Sequence, residues 1–148
     1  MHYDIAIIGY GPVGAMAANM FGSSGLNIVV IEPKYEIWDI PRAVALDGQA
    51  QRIFQSCGII NNIPVKPIDG LTFVNKKGQQ IVYVDFTDHS TPNGYSETVG
   101  FSQPNLERTL RGQAESYKNI TFKLGSTLSN LIATENNNEL TVINNLTN

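Results

Sequence analysis

The chain has 148 residues, of which 42% are hydrophobic, and this is enough to build one domain with its own core. Its net charge of −3 and pI near 5.3 argue against nucleic acid as a partner, and no run of Lys or Arg suggests a membrane surface. Without a signal-peptide pattern, a membrane-length apolar run or a second cysteine to pair with Cys57, the sequence predicts a soluble cytoplasmic protein.

A short apolar run at the N-terminus leads directly into a G-x-G-x-x-G motif. The run Ile5–Ile8 predicts a strand, and the Ala- and Met-rich segment after the motif predicts a helix. In this order of elements, Gly9 lets the chain reverse, Gly11 lets the backbone approach a pyrophosphate, and Gly14 lets the helix pack close to the strand. Strand, glycine turn and helix together are typical of dinucleotide binding.

The helix opens with Pro12 and Val13, and proline suits a position where an N–H would lack an intrahelical partner. The free N–H groups of the first turn and the positive end of the helix dipole are expected to face phosphates. The alternative is a tight strand-to-helix turn that binds no ligand.

A second strand is predicted at Asn27–Glu32, after a helix stop at Gly25. Glu32 closes this strand about 20 residues beyond the glycines, where a carboxylate accepts hydrogen bonds from ribose hydroxyls. Such a carboxylate would repel a 2′-phosphate, which disfavours NADP in this site but does not separate FAD from NAD. The alternative for Glu32 is a solvated acid at a strand end.

Further elements follow in chain order. Asp47 is a predicted N-cap for a helix at about residues 48–57, with Ala50, Ile53 and Phe54 on one face and Gly58 as its stop. Pro64 and Pro67 predict a loop, residues 70–75 and 79–84 a hairpin, and residues 85–98 a surface excursion.

The last third of the chain begins with an amphipathic helix. Leu106, Leu110 and Ala114 form one stripe of it, and Pro104 lies in its first turn. Strands are predicted at residues 120–123, 128–134 and 140–143. The predicted fold class is α/β: a Rossmann-like βαβ unit with a parallel sheet, to which a β-meander and hairpins are added.

Three segments together resemble the class A flavoprotein monooxygenases, the aromatic-ring hydroxylases, and among them the 3-(3-hydroxyphenyl)propionate hydroxylase type. They are Gly9–Gly14 with Glu32, then Pro41–Asp47 (PRAVALD), then Phe101–Glu107 (FSQPNLE). The glycine motif is shared with many NAD and FAD proteins, whereas the other two segments are more selective.

The resemblance implies FAD as cofactor, with its ADP half on Gly9, Gly11, Gly14 and Glu32. Arg42 matches an arginine that lies along the FAD, where a guanidinium offers a planar fork of donors; the alternative is a surface arginine. Gln103 matches a glutamine that reaches the flavin side, and the alternative is a helix-capping role before Pro104. The family also implies NAD(P)H as reductant, an aromatic small-molecule substrate, and no catalytic triad or metal.

Members of this family are longer and carry Asp-Gly and Gly-Asp motifs downstream, which residues 1–148 lack. The expectation is a single truncated FAD-binding domain, the N-terminal part of a hydroxylase and inactive alone. Its parts are the βαβ fingerprint (3–32), a flavin-side loop and helix (33–58), a hairpin region (70–100), a helix (103–116) and a meander (120–143). Two alternatives stay open: an NAD-binding Rossmann domain of a dehydrogenase or reductase, and a non-enzymatic nucleotide-binding remnant. His2 and His89 show no metal-type spacing and are expected to be exposed or structural.

Overall fold

A computed structural model of the chain describes residues 1–87 and 91–146. These residues form two compact units: the first unit comprises Met1–Ile40 and the chain from Glu107 onward, and the second unit comprises Pro41–Leu106. The elements in chain order are β1 (Ile5–Ile8), α1 (Pro12–Gly22), β2 (Ile28–Glu32), β3 (Ala45–Asp47), α2 (Gly48–Ser56), a 3-10 turn (Ile60–Asn62), β4 (Val65–Pro67), β5 (Gly70–Val74), β6 (Gln80–Asp85), β7 (Thr98–Phe101), α3 (Gln103–Ala114), β8 (Ile120–Leu124), β9 (Ser126–Ala133) and β10 (Asn138–Asn144).

The core of the first unit is a parallel sheet in the order β1-β2-β8. Strand β2 lies in the middle, and its four apolar residues, Ile28 to Ile31, are all buried. A strand flanked by two parallel neighbours and covered on both faces reads as a continuous apolar run, as β2 does. The predicted α/β class and its Rossmann-like β1-α1-β2 unit are therefore confirmed.

The segment predicted as one meander divides into two parts. Strand β8 pairs with β2 in parallel and so belongs to the central sheet. Only β9 and β10 form an antiparallel pair, with a register irregularity between Thr141 and Val142. Helix α1 likewise ends at Gly22, with Ser23 as its C-cap, so the predicted stop at Gly25 lies in the turn beyond the helix.

The second unit contains a small antiparallel sheet in the order β3-β7-β4. The predicted loop at Pro64 and Pro67 is wrong for Val65–Pro67, which forms the edge strand β4. A proline is tolerated on an edge strand because its missing N–H removes no hydrogen bond from the sheet interior.

Helix α2 begins as predicted, because the Asp47 side chain accepts a 2.7 Å hydrogen bond from the N–H of Ala50. Its predicted apolar face is partly wrong: Ile53 is 40% exposed, whereas Gln51 is 3% exposed. The amide of Gln51 donates to the carbonyl oxygens of Asp47 and Ser96, at 3.2 and 3.0 Å. These two hydrogen bonds satisfy the Gln51 amide, which would destabilise the fold if it were buried without partners.

The predicted hairpin is present as β5 and β6, joined by a turn around Gly78 at φ 77°. The side-chain oxygen of Asn75 accepts from the N–H groups of Lys77 and Gln79, at 2.8 and 3.1 Å, and so fixes this turn. Every residue of β6 is exposed, including Ile81 at 69%. The predicted excursion that follows includes residues 88–90, which lie outside the described part of the chain.

Candidate functional site

The glycine turn has the backbone conformation that the motif predicts. Gly9 has a φ of 95°, a value that favours glycine, and its N–H donates to the carbonyl oxygen of Ile31 at 2.8 Å. A Cβ added at Gly14 would overlap the carbonyl oxygen of Gly9 and lie 3.3 Å from Cγ2 of Ile7. Helix α1 can therefore approach β1 this closely only because residue 14 has no side chain.

The start of α1 provides hydrogen-bond donors with open space in front of them. Pro12 is the first helical residue, and the N-cap Gly11 supplies no side-chain hydrogen bond. Ala15 donates to the carbonyl oxygen of Gly11 at 2.8 Å, whereas the N–H groups of Val13 and Gly14 precede the first intrahelical donor. No acidic residue lies in the first turn, and a Cβ on Gly11 would meet nothing within 4 Å. This arrangement fits a phosphate group.

Glu32 ends β2 and is tied to the same turn. One carboxylate oxygen accepts from the N–H of Tyr10 at 2.7 Å, and the other accepts from the N–H of Lys34 at 3.0 Å. A carboxylate offers about four lone-pair positions, so two remain for hydroxyl donors. The two bonds fix the orientation of these remaining acceptors beside the glycine turn, and the carboxylate is thus more constrained than a solvated acid at a strand end.

A buried cluster beneath the glycine turn did not emerge from the sequence. Tyr10 is 0% exposed, and its hydroxyl donates to the carbonyl oxygen of Arg111 at 3.3 Å. The Arg111 guanidinium lies over the Tyr10 ring, 4.5 Å from its centroid, and donates to Glu107 at 2.8 Å. The Phe122 ring lies 5.2 Å from the Tyr10 ring. The spacing of Glu107 and Arg111 on one helix was a visible signal for their ion pair.

The protonation of Tyr10 follows from these surroundings. Burial of the phenol raises its pKa well above the usual value, and the nearby Glu115 carboxylate raises the pKa further. The Arg111 cation lowers the pKa and only partly offsets these effects. The phenol therefore stays neutral and keeps the proton that it donates to the Arg111 carbonyl oxygen.

In the second unit, the structure brings Arg42 and Gln103 together. The side-chain oxygen of Gln103 accepts from the N–H groups of Arg42 and Ala43, at 2.8 and 2.9 Å. Gln103 is 4% exposed, whereas Arg42 is exposed. Gln103 thus uses its amide oxygen to hold the segment that carries Arg42, a contact that neither predicted role had included.

The predicted site residues thus fall into two groups. The first unit gathers the glycine motif, the start of α1 and Glu32, and the second unit gathers Arg42 and Gln103. Within residues 1–87 and 91–146, no group of three or more His, Cys, Asp or Glu side chains is placed to hold a metal ion. His89 lies outside these ranges. None of the described helices combines the length and the apolar character that crossing a membrane requires.

Comparison with known proteins gives a family match over almost the whole chain. A family model described as "FAD binding domain" matches residues 2–147. A 3-(3-hydroxy-phenyl)propionate/3-hydroxycinnamic acid hydroxylase from Paraburkholderia xenovorans (strain LB400) is 34% identical over 128 residues, which cover 85% of this chain and 20% of the relative. Hydroxylase 2 of the same type from Burkholderia vietnamiensis (strain G4 / LMG 22486) is 33% identical over 130 residues, covering 82% of this chain and 22% of the relative. The chain therefore spans about a fifth of the length of these relatives.

Solved structures share the fold. The p-nitrophenol 4-monooxygenase PnpA from Pseudomonas putida DLL-E4 superposes with a TM-score of 0.83 at 17% identity, covering 93% of this chain and 35% of that protein. The flavin-dependent monooxygenase PieE, solved in complex with FAD and substrate, also gives a TM-score of 0.83, at 18% identity over 99% of this chain and 28% of that protein. The predicted resemblance to aromatic-ring hydroxylases is confirmed.

Proposed function

This chain belongs to the FAD-binding-domain family, and we propose that its glycine turn and the start of α1 bind the diphosphate of FAD. The observation that carries this proposal is the uncapped start of α1. No side chain caps its first-turn N–H groups, no acidic residue lies in that turn, and Gly11 leaves the approach to them open. An anion is the partner that such a helix start favours.

The remaining roles are assigned to residues whose surroundings suit them. Gly9 and Gly14 shape the turn, Pro12 and Val13 open the helix, and Glu32 accepts hydrogen bonds from the adenosine ribose hydroxyls. Arg42 donates from its exposed guanidinium to phosphate or ribose oxygens of FAD. Gln103 holds the backbone beside Arg42 and so sets where that guanidinium can reach.

FAD, when bound, supplies the redox chemistry by which flavin monooxygenases use NAD(P)H and oxygen to hydroxylate an aromatic ring. The contribution of this chain is to bind and orient the cofactor. Because the chain spans about a fifth of the hydroxylases it resembles, we propose that hydroxylation of a phenolic or aromatic acid needs further polypeptide. We place the protein in the cytoplasm and propose that it binds neither nucleic acid nor a membrane.

Titration of the purified chain with FAD tests this function. We expect saturable quenching of flavin fluorescence, and competition by ADP, which carries the same adenosine diphosphate group as FAD. A folded chain that binds NAD but not FAD would instead support a dehydrogenase or reductase domain. A folded chain that binds neither nucleotide would contradict both functions and also the alternative of a non-enzymatic nucleotide-binding remnant.

Turnover is measured separately from binding. We expect the chain with bound FAD to show no NAD(P)H oxidation that depends on a phenolic acid such as 3-(3-hydroxyphenyl)propionate. Substantial substrate-dependent oxidation by residues 1–148 alone would contradict the proposed need for further polypeptide, and it would leave the FAD site intact.

A further inference from the structure

The residue between the first two glycines of the motif is anchored at both its backbone and its side chain. The backbone N–H of Tyr10 donates to Glu32 at the end of β2, and its hydroxyl donates to the backbone of α3 at Arg111. Its ring packs near Phe122 on β8. Through its backbone and its side chain together, this one residue connects the glycine turn to three separate elements of the first unit.

The guanidinium above the Tyr10 ring is itself held in place. The Arg111 side chain is 9% exposed and the Glu107 side chain 4% exposed, and their ion pair measures 2.8 Å. A cation over an aromatic face is attracted more strongly when both groups are removed from water. The Glu107–Arg111 pair therefore stabilises one position of the Tyr10 ring. A fixed ring in turn restricts the backbone conformations that the glycine turn can adopt.

The conformation of this turn determines where the phosphate-binding N–H groups point. Tyr10 directly follows Gly9, which has the positive φ, and directly precedes the N-cap Gly11. Glycines on both sides give the backbone unusual freedom, and such freedom lowers affinity when binding requires a single conformation. A buried anchor between the two glycines removes that freedom before the ligand arrives.

We propose that Tyr10 is a positioning residue for diphosphate recognition, fixed by Arg111 and Phe122, which pre-organises the N–H groups that open α1. This inference rests on the proposed FAD function and extends it to a residue that makes no contact with the cofactor through its side chain. The ligand class concerned is any nucleotide that carries a diphosphate.

The test measures the binding of three ligands, one without phosphate and two with a diphosphate, to variants of Tyr10 in the full chain. Adenosine has no phosphate, whereas ADP and FAD both carry the diphosphate. For Tyr10→Leu, which removes the aromatic ring, we expect about tenfold weaker binding of FAD and ADP, and at most about a threefold change for adenosine. For Tyr10→Phe, which keeps the ring and loses one hydrogen bond, we expect all three affinities to stay within about threefold of wild type.

A second tyrosine of the same unit provides the matched control. The Tyr117 ring lies against Gly22, at the opposite end of α1 from the glycine turn. For Tyr117→Leu we expect a lower unfolding midpoint but unchanged ligand affinities. Should Tyr10→Leu fail to fold, Arg111→Lys keeps a charge for Glu107 while losing the planar stack, and we expect it to weaken FAD and ADP more than adenosine.

The outcomes separate this inference from the function on which it rests. If wild type binds FAD and Tyr10→Leu binds it equally well, the positioning role is wrong and the FAD function stands. If Tyr10→Leu and Tyr117→Leu weaken all three ligands alike, Tyr10 acts only through general stability and the inference is again wrong. If folded wild type binds no FAD, the proposed function fails first.

Discussion

Replacing Gly14 or Gly11 by alanine adds the same methyl group at two points of one motif, and the structure predicts opposite consequences. At Gly14 the new Cβ would lie 3.0 Å from the carbonyl carbon of Gly9 and overlap its oxygen. At Gly11 it would meet nothing within 4 Å, and the φ of −72° there is accessible to alanine. Gly14→Ala therefore tests the packing of α1 against β1, and Gly11→Ala tests the access of the ligand to the turn.

The magnitude for Gly14→Ala follows from the contact with Gly9. Carbon atoms pack best at about 3.5–4.0 Å, so the start of α1 must move by at least about half an ångström. Overpacking of this kind costs about 1–3 kcal/mol, and here the obstacle is backbone, which cannot change rotamer. Alanine recovers up to about 1 kcal/mol of helix propensity. We expect a net loss of about 2 kcal/mol, equivalent to about 4–8 °C in Tm.

For Gly11→Ala, two smaller effects oppose each other in the free protein. Alanine lowers the entropy of the unfolded chain, which stabilises by about 0.4–1 kcal/mol, but it is a poorer N-cap than glycine by a similar amount. We expect stability within about 1 kcal/mol of wild type and FAD affinity at least about tenfold weaker, because the methyl group occupies the space in front of the N–H groups.

Urea unfolding without ligand and FAD titration measure the two effects independently. If Gly14→Ala unfolds at the wild-type midpoint, α1 and β1 are not as close as the structure places them. If Gly11→Ala binds FAD as tightly as wild type, the diphosphate does not approach the turn at this residue.

Three further predictions concern the buried polar groups. Gln103→Leu leaves the N–H groups of Arg42 and Ala43 without their acceptor, so we expect the free energy of unfolding, measured in urea, to fall by about 1–3 kcal/mol. Gln103→Glu keeps the acceptor oxygen and should destabilise less, and equal destabilisation by both variants would argue against the hydrogen bonds as the cause. Arg111→Met leaves the Glu107 carboxylate buried and unpaired, so we expect the free energy of unfolding, measured by thermal unfolding, to fall by about 3–5 kcal/mol. Combining Arg111→Met with Glu107→Leu should restore much of the lost stability. A double variant as unstable as Arg111→Met alone would refute the unpaired charge as the cause. Burial raises the pKa of Tyr10 above its unfolded value of 10.0, so the stabilisation by its neutral phenol is complete below about pH 10. Above that pH the free energy of unfolding should fall by up to about 1.4 kcal/mol per pH unit. Tyr10→Phe should lack this part of the decrease, and an identical decrease in wild type and variant would show that Tyr10 ionises equally in the folded and unfolded states.

The elements that could be predicted are those whose signal is local. The apolar run of β2 and the glycine motif are each a continuous stretch of sequence. The strand β2 and the helix α1 that these two stretches predict are both present. The stripe of α3 was equally clear: Leu106, Leu110 and Ala114 are 3%, 1% and 0% exposed. Such periodicity reports burial directly, because one face of a helix must meet the core.

Features that depend on distant partners could not be predicted. Strands β3 and β4 have three residues each and exist because both pair with β7, and three residues are too few for an alternating pattern. The burial of a polar residue such as Gln51 could not be predicted from its neighbours, because one of its two acceptors, Ser96, lies 45 residues away. The role of Tyr10 likewise depends on Arg111, 101 residues along the chain.

The contrast between β2 and the β5–β6 hairpin has a consequence for how this chain opens in solution. Strand β2 has a parallel neighbour on each side, so its amide protons should exchange with solvent only when the first unit unfolds globally. The hairpin has two strands and an exposed β6, and two strands alone are marginally stable in water. Its amides should exchange through local fraying, orders of magnitude faster, and a protease should cut there first while the parallel sheet is still intact.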